Sequence, residues 1–402
     1  MTPAPAARPL RIGLLTPAWP GTVTANGIAS ATAPLAQGLA AIGHEVTILT
    51  AQIDAPHDHP RVIPLQPLPF SLAERLIGRI APDRALRGVN IRKLILGVRE
   101  AISRHGIEVL LMEESFGWAA AVRAAVAIPV VVTLHGPQWL HRITPARPRR
   151  GPEARREAWE EAGLQRIDAL ISPSQDVLDR TRAVWGLPAV PSTVIGNPVR
   201  LARLDTPAAQ TAAPHLLFIG RFDRIKGADV LMEAFTRIAS RSPEAQLTFV
   251  GPDSGVLQPD GTRLHLAEAL ARMPATARDR VTILGHRSRD EIADLRRAYP
   301  ITLVASRYET FGVALIEAMA AGSAVVSTRA GGLAEILRDG ETGLLVPPED
   351  PGAMAEACLR LLADPALTLR LGQAARADVE ARFAPEIIAA KVAEFLAPLT
   401  RS

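Results

Sequence analysis

Short apolar runs alternate with segments of helical periodicity along most of this chain, and that alternation restricts the fold more than any other feature. Nearly continuous apolar strands between helices are typical of parallel sheets covered on both faces. Twelve such strands exceed one ordinary open sheet, so we predict an α/β fold with two Rossmann-like, doubly wound domains facing a central cleft. The predicted strands are 12–16, 45–50, 109–112, 130–134, 169–172, 193–195, 216–219, 247–250, 281–284, 302–304, 324–327 and 344–346.

The chain has 402 residues, whereas a single core rarely grows past about 250–300 residues. The stretch 197–214 is rich in Ala, Thr and Pro and lacks clean periodicity, as linkers do. We therefore predict an N-terminal domain over 1–199, a linker over 200–213 and a C-terminal domain over 214–382. The final segment, 383–399, has the pattern of an amphipathic helix.

Several classes of protein are excluded by what the sequence lacks. Cys358 is the only cysteine, which excludes a disulfide scaffold and multi-cysteine metal sites and favours a reducing, cytosolic setting. Without 18 uninterrupted apolar residues or a long apolar N-terminal run, we expect neither a membrane span nor a signal peptide. The G-x4-G-K-[ST] loop is missing, and the missing G-x-G-x-x-G motif argues against a dehydrogenase.

The segment 306–322, SRYETFGVALIEAMAAG, follows a predicted strand and predicts a helix from near Phe311 to Gly322. Glu317 is the only charge from 313 to 321, so we expect a buried carboxylate that needs partners. Either two ribose hydroxyls or a structural arginine could supply them.

The start of this predicted helix offers a second kind of binding group. Free amides near Phe311, Gly312 and Val313 would suit an anion such as a diphosphate. Glu309 comes just before them, either close to the ligand or as an acid that stabilises the helix dipole.

A basic loop follows the first strand of the C-terminal half, in LLFIGRFDRIKG at 216–227. Arg221 and Lys226 could hold a phosphate and stabilise a leaving group, although basic loops are often merely solvated. Lys226 is one of only three lysines in the chain.

The N-terminal half offers weaker candidates at its strand ends. Gly27 could let the backbone approach a ligand, or could belong to an ordinary Asn-Gly turn. His135 should project into the cleft, although a lone histidine is often only hydrogen-bonded. Glu113 and Glu114 are expected to be solvated.

In order and spacing, these motifs resemble the retaining nucleotide-sugar glycosyltransferases of the GT-B architecture, a family often called glycosyl transferases group 1 or family four. GRFDRIKG at 220–227 is similar to the family's G-R-x4-K-G, and Glu309 and Glu317 to its E-x7-E. The segment 330–350 is similar to its G-G-x-x-E…G-x-x-G-L-L-V motif. GHEVTILT, TLHG and SPSQ, at 43–50, 133–136 and 172–175, also fit.

The resemblance implies roles for the site residues. Arg221 and Lys226 would bind the donor diphosphate and offset charge on the departing nucleotide. Glu317 would take the ribose hydroxyls and Glu309 would contact the donor sugar. His135 would approach the sugar near the reacting carbon. Further donor contacts are expected at Gly27, Phe311, Gly312 and Val313, with Gly285, His286 and Arg287 beside the base.

The resemblance also implies the reaction. A sugar would move from a nucleoside-diphosphate sugar to an acceptor hydroxyl with retention of anomeric configuration, by front-face attack. Neither a metal nor a cofactor other than this co-substrate would be required. Residues 383–402 would cross back to the N-terminal domain. A nucleotide-sugar epimerase and a non-catalytic nucleotide-sugar-binding protein are the alternatives.

Two basic segments, 70–104 and 142–156, each carry a net charge of +5 and bear on the acceptor. Such segments can bind an anionic or lipid-linked acceptor, or lie on an anionic membrane. Alternatively, the first is a packed helix with a solvated basic face and the second a flexible loop. We expect a sugar or lipid-linked acceptor, no nucleic-acid partner, and a cytoplasmic protein that contacts the inner face of the membrane peripherally.

Overall fold

A computed structural model describes residues 8–20, 27–142, 151–199, 214–258 and 260–400 of the chain. Contacts divide the chain into two compact units. The first unit contains Met1–His141, Pro148–Pro198 and Pro385–Ser402; the second contains Arg142–Arg147 and Val199–Ala384. The predicted linker, 200–213, lies outside the described residues.

The first unit is built on a parallel sheet of seven strands in the order β3-β2-β1-β4-β5-β6-β7. The chain runs outward from β1 to β3 and then returns to β4 beside β1, which makes the carboxyl ends of β1 and β4 the switch point where open sheets bind ligands. The strands are β1 Arg11–Thr16, β2 Glu45–Thr50, β3 Val62–Pro64, β4 Val109–Glu113, β5 Val130–Thr133, β6 Ala169–Ser172 and β7 Ser192–Val194.

Helices connect these strands, and local signals explain where some of them begin and end. Helix α3 begins at Pro82, whose missing amide is harmless in a first turn, and it is capped by Gly106 in the left-handed conformation. The helices are α1 Gly27–Ala41, α2 Leu72–Gly78, α3 Pro82–His105, α4 Ala119–Ala125, α5 Pro152–Leu164 and α6 Gln175–Trp185.

The second unit contains a parallel sheet of six strands in the order β13-β10-β8-β14-β15-β16 and a small sheet in the order β12-β11-β9. Its switch point lies between β8 and β14 by the same reasoning. The strands are β8 His215–Ile219, β9 Phe222–Asp223, β10 Gln246–Val250, β11 Asp253–Leu257, β12 Arg263–Leu264, β13 Val281–Gly285, β14 Ile301–Val304, β15 Ala324–Thr328 and β16 Leu344–Val346.

Helices of the second unit pack on a core that includes Phe218, Phe235 and Phe249. They are α7 Ala228–Arg241, α8 Leu266–Ala271, α9 Ala275–Arg278, α10 Arg289–Ala298, α11 Val313–Ala320, α12 Leu333–Ile336, α13 Pro351–Ala363 and α14 Pro365–Phe383.

The last helix, α15 Pro385–Leu396, belongs to the first unit and packs against α1. A side chain at Gly38 on α1 would meet the Pro385 carbonyl at 2.3 Å, so glycine is needed where these helices approach. The structure thus ends α14 at Phe383 and starts a new helix at Pro385, whereas the sequence predicted one helix from 383.

All twelve predicted strands are confirmed within one or two residues at either end. Four further strands, β3, β9, β11 and β12, were not predicted. Three of these have only two or three residues, too few to show a run, and the five-residue β11, DSGVL, begins with polar residues. Among the described residues, no helix combines the length and the apolar character needed to span a membrane.

Candidate functional site

Two loops meet at the switch point of the second unit, 220–227 after β8 and 305–312 after β14. The strands before them are paired, with Leu303 beside Phe218 in register. Arg307 joins the loops: its backbone amide donates to the Ile225 carbonyl at 2.8 Å. Its guanidinium, with the side chain 10% exposed, donates to both carboxylate oxygens of Asp229, at 2.8 and 2.9 Å.

Asp223 organises the basic loop. One of its carboxylate oxygens accepts a hydrogen bond from Arg221 Nε at 2.7 Å, and the other accepts from the Lys226 amide at 2.8 Å. Asp223 is buried, while the Arg221 side chain remains exposed. Asp223, which was not among the predicted site residues, therefore holds the Arg221 side chain and the Lys226 backbone at one strand end.

Lys226 and Glu309 are in direct contact across the two loops. Lys226 Nζ donates to Glu309 Oε1 at 2.5 Å, and Ser306 Oγ donates to the same oxygen at 2.8 Å. Their side chains are 27% and 16% exposed, so a ligand can still reach the pair. Arg221 adds a second cation nearby through Asp223, and together the two cations can attract a phosphate.

A glycine pair supports the loop that carries Glu309. The Gly332 amide donates to the Glu309 carbonyl at 2.9 Å. A side chain on Gly331 would meet that same carbonyl at 2.4 Å, and one on Gly332 would meet the Thr310 carbonyl at 2.4 Å. Glycine at both positions thus lets two backbones pass closely.

Helix α11 begins at Val313, two residues later than predicted, because Gly312 adopts φ +102° and forms the N-cap. The first-turn amides of a helix lack acceptors within it, so an anion could bind at this end. Phe311 contributes only backbone there: its side chain is buried and packs edge-on against Phe383 at 5.7 Å.

The expectation that Glu317 is buried was wrong. Its side chain is 38% exposed, and Oε2 lies 2.5 Å from Nη1 of Arg296, which is 7% exposed. Of the two partners considered, the structure provides the arginine. Burial was expected because every other residue of α11 is apolar, but the Glu317 side chain points away from the core. Arg296 stands on α10, and nothing in the sequence indicated the pair.

Replacing Glu317 with alanine is expected to lower the free energy of unfolding by about 1–3 kcal/mol. The change leaves the buried Arg296 cation without its carboxylate, and Arg296 Nε already makes no hydrogen bond within the described residues. Glu233→Ala removes an exposed carboxylate paired with Arg237 and serves as the matched control. Denaturant unfolding would measure both; equal losses in the two variants would contradict the structural role of Glu317.

The residues predicted to lie beside the base are found at the end of the edge strand β13 and directly after it. Gly285 ends this strand at φ +65°, and its carbonyl accepts from the Gly251 amide at 2.9 Å, which brings the ends of β13 and β10 together. His286 is exposed, and Arg287 is 3.6 Å from Glu291. Among the described residues, no hydrogen bond or ion pair joins this group to Lys226 or Glu309.

In the first unit, Gly27 begins α1, while residues 21–26 of the preceding loop lie outside the described residues. His135 follows β5 and is half-buried, and burial lowers its pKa to about 4, so its imidazole is neutral at pH 7. The amides of His135 and Gly136 donate to the two oxygens of Glu114, at 3.0 and 2.7 Å.

Glu113 and Glu114 are buried, which corrects the expectation that they are solvated. Burial, together with the neighbouring Glu160 carboxyl, raises the pKa of Glu114 to about 8. Burial alone raises the pKa of Glu113 to about 7, and its Oε2 atom has no hydrogen-bond partner among the described residues.

The Glu113→Gln variant is expected to be less sensitive to pH than the parent protein. The Glu113 pKa rises from 4.5 to about 7 on folding, so the folded form holds the proton more tightly. The free energy of unfolding should therefore fall as the pH rises from about 5 to 8, by up to about 3 kcal/mol, and glutamine should abolish that part. Denaturant midpoints at pH 5.5 and 8 test this. An equal loss of stability between these pH values in the parent protein and the variant would contradict it.

Comparisons with known proteins agree with the architecture. The profile of the family described as Glycosyl transferases group 1 matches residues 213–364, and that of Glycosyltransferase Family 4 matches residues 25–203. A relative from Streptomyces bingchenggensis, named D-inositol 3-phosphate glycosyltransferase, is 31% identical over 71% of this chain, and the match spans 64% of the relative. One of the same name from Xylanimonas cellulosilytica is 32% identical, covering 71% of this chain and 69% of the relative.

Solved structures share the fold over nearly the full chain. Sucrose-phosphate synthase from Thermosynechococcus elongatus superposes with a TM-score of 0.70 and 27% identity, covering 97% of this chain and 99% of that one. Anabaena HepE in complex with UDP-glucose superposes with a TM-score of 0.69 and 19% identity, covering 97% of this chain and 100% of that one.

Proposed function

This chain belongs to the family described as Glycosyl transferases group 1, and from that premise we propose that it transfers a sugar from a nucleoside-diphosphate sugar to an acceptor hydroxyl. The contact between Lys226 and Glu309 at the switch point of the second unit carries the proposal. It combines a cation for the diphosphate with an acid for sugar hydroxyls, beside the exposed Arg221. The UDP-glucose complex of HepE supports a donor of this class.

In the proposed reaction the acceptor oxygen bonds to the anomeric carbon while the bond from that carbon to the diphosphate breaks. The electron pair leaves with the diphosphate, and the acceptor proton passes to a phosphate oxygen on the same face of the sugar. Lys226 and Arg221 stabilise the charge that develops on the leaving group. We assign Glu309 to the sugar and the amides at the start of α11 to the diphosphate. Glu317 stays 38% exposed while it is paired with Arg296, so we assign it to the ribose in addition to that structural role.

The first experiment measures nucleotide release from a panel of nucleoside-diphosphate sugars, with and without a cell extract that supplies acceptors. A transferase should release the nucleotide only when the extract is present, and a glycosylated product should form. An altered sugar nucleotide formed without any acceptor would indicate the epimerase instead. Binding without turnover of any donor would indicate the non-catalytic alternative.

Retention and metal independence are part of the proposal and need their own measurement. The anomeric coupling constant of the purified product, compared with that of the donor, reports retention or inversion. Turnover that survives EDTA supports metal independence, while recovery only on addition of a divalent cation would overturn it.

We also propose that an apolar surface on and around α2 contacts an anionic membrane. Five apolar residues, which we call the α2 surface, are exposed to solvent: Phe70, Leu72, Leu76, Ile77 and Ile80. Leu72 is 75% exposed and Ile80 is 90% exposed. Arg75, Arg79 and Arg84 are exposed beside them. Apolar side chains flanked by arginines suit the interface of an anionic bilayer.

Co-sedimentation with vesicles of phosphatidylglycerol and phosphatidylcholine at low salt tests this contact. Burying a leucine or isoleucine contributes about 1.5–3 kcal/mol, so Leu72→Ser with Ile80→Ser should weaken binding more than tenfold. Leu369→Ser, which changes an exposed leucine of the second unit, is the matched control. Parent protein that stays in the supernatant would overturn this part and leave the transferase proposal standing.

A further inference from the structure

One residue, Arg307, connects the loop that carries Lys226 to the loop that carries Glu309. It lies two positions before Glu309 in the chain. Its backbone amide donates to the Ile225 carbonyl at 2.8 Å, and its Nη1 atom donates to the Arg224 carbonyl at 2.7 Å. These are the carbonyls of the two residues before Lys226. The placement of Lys226 relative to Glu309 therefore depends on the conformation of Arg307.

The guanidinium of Arg307 is itself held by two carboxylates. Its Nη1 and Nη2 atoms donate to the two oxygens of Asp229, in the first turn of α7, at 2.8 and 2.9 Å. Its Nε atom donates to Oε1 of Glu349 at 2.6 Å. An arginine bound in this way is fixed in distance and direction, which a lysine ammonium cannot reproduce. Because the side chain is occupied and only 10% exposed, Arg307 is suited to hold the loops and not to bind a phosphate.

Glu349 adopts a backbone conformation that residues with a side chain rarely occupy. It lies after β16 at φ +59°, a left-handed conformation that is strained for such residues and free for glycine. Strain of this kind persists where the surrounding structure requires it. Besides its bond to Arg307, the Glu349 carboxylate lies 3.6 Å from Nη2 of Arg224. A third loop thus accepts strain while its carboxylate contacts both arginines.

We propose that Arg307 is a positioning residue of the donor site and that Glu349 holds its guanidinium in place. Arg307 sets the distance between the Lys226 ammonium and the Glu309 carboxylate, so that the lysine meets the leaving diphosphate in the orientation that the transition state requires. Displacing a catalytic group by about 1 Å can cost about 10²-fold in rate. The effect on catalysis rests on the proposed transferase function.

Steady-state turnover of a sugar nucleotide tests Arg307 first. Arg307→Lys keeps the charge and loses the fork, so kcat should fall about 10–100-fold while the KM for the donor stays within about threefold. Arg123→Lys is the matched control, because Arg123 binds the Asp168 carboxylate at 2.5 Å and the Val126 carbonyl at 3.2 Å, at the amino ends of β5 and β6. A lower melting temperature with kcat equal to that of the control would overturn the proposal.

Glu349→Gly separates positioning from stability, because glycine removes the carboxylate and the backbone strain together. The Glu349 side chain is 56% exposed, so the lost ion pair contributes little to folding and the melting temperature should stay within about 3 °C of that of the parent protein. We nevertheless expect kcat to fall at least about threefold at an unchanged KM. An unchanged kcat in this folded variant would overturn the role of Glu349.

A signal from Lys226 itself tests the link between the loops without any turnover. The chain has three lysines, so lysine labelled with ¹³C at Cε gives three signals, and Lys226→Ala identifies that of Lys226. In Glu349→Gly this signal should move by more than its linewidth, while those of Lys93 and Lys391 stay in place. An unmoved Lys226 signal would overturn the proposal. A moved signal in a protein that turns over no sugar nucleotide would refute the transferase and keep the link.

Discussion

Replacing Lys226 with alanine should lower the turnover of a sugar nucleotide by roughly 10²–10³-fold, the effect of removing one donor that stabilises a developing oxyanion. Lys226 Nζ now lies 2.5 Å from Glu309 Oε1, at the end of a loop that Asp223 holds in place. Alanine removes the charge and leaves Glu309 without its cation. Turnover at saturating donor, measured by nucleotide release, is the direct readout.

Two further variants separate the causes. Lys391 is an exposed lysine on α15 and lies outside the site, so Lys391→Ala should leave turnover nearly unchanged. Glu309→Gln keeps the shape of the acid while removing its charge, so it should slow turnover without releasing the lysine. A Lys226→Ala variant whose turnover lies within threefold of that of the parent protein would contradict the assignment of Lys226 and Glu309 to the donor site.

The second large effect concerns stability. Gly227→Ala should lower the free energy of unfolding by about 3–5 kcal/mol. Gly227 caps α7 at φ +65°, a conformation that costs other residues about 1–2 kcal/mol. A side chain there would also meet the Ala305 carbonyl at 1.9 Å, so either the loop of Lys226 or that of Glu309 must move.

Gly43→Ala isolates the strain from the collision. Gly43 has φ +92°, yet an added side chain would meet no atom within 4 Å. This control should therefore cost only about 1–2 kcal/mol. Denaturant unfolding of both variants measures the two losses of unfolding free energy. Losses of similar size would mean that the contact with the Ala305 carbonyl is easily relieved.

Much of the fold could be predicted because its signals are local. Twelve of the 13 strands in the two parallel sheets were found, since a strand covered on both faces must be apolar along its whole length. The basic loop at 220–227 was found for a similar reason: strand, glycine, cations and helix follow one another in order. Asp223 stands in that same loop and could have been included as the acid between two cations.

The partners of charged side chains could not be predicted in the same way. Glu317 and Arg296 lie on different helices, and only packing brings them together. Arg307 and Asp229 are distant in the chain but share two hydrogen bonds. Such pairs leave no periodic pattern, because each residue alone looks like an ordinary surface charge.

The sequence alone determined that this protein has two parallel α/β sheets, and that cations and acids follow particular strands, because hydrophobic periodicity and turn residues act over a few positions. Tertiary structure alone decided that Glu113 and Glu114 are buried, that Lys226 meets Glu309, and that Glu317 meets Arg296. These outcomes depend on which surfaces cover one another, and burial changes the cost of every charge.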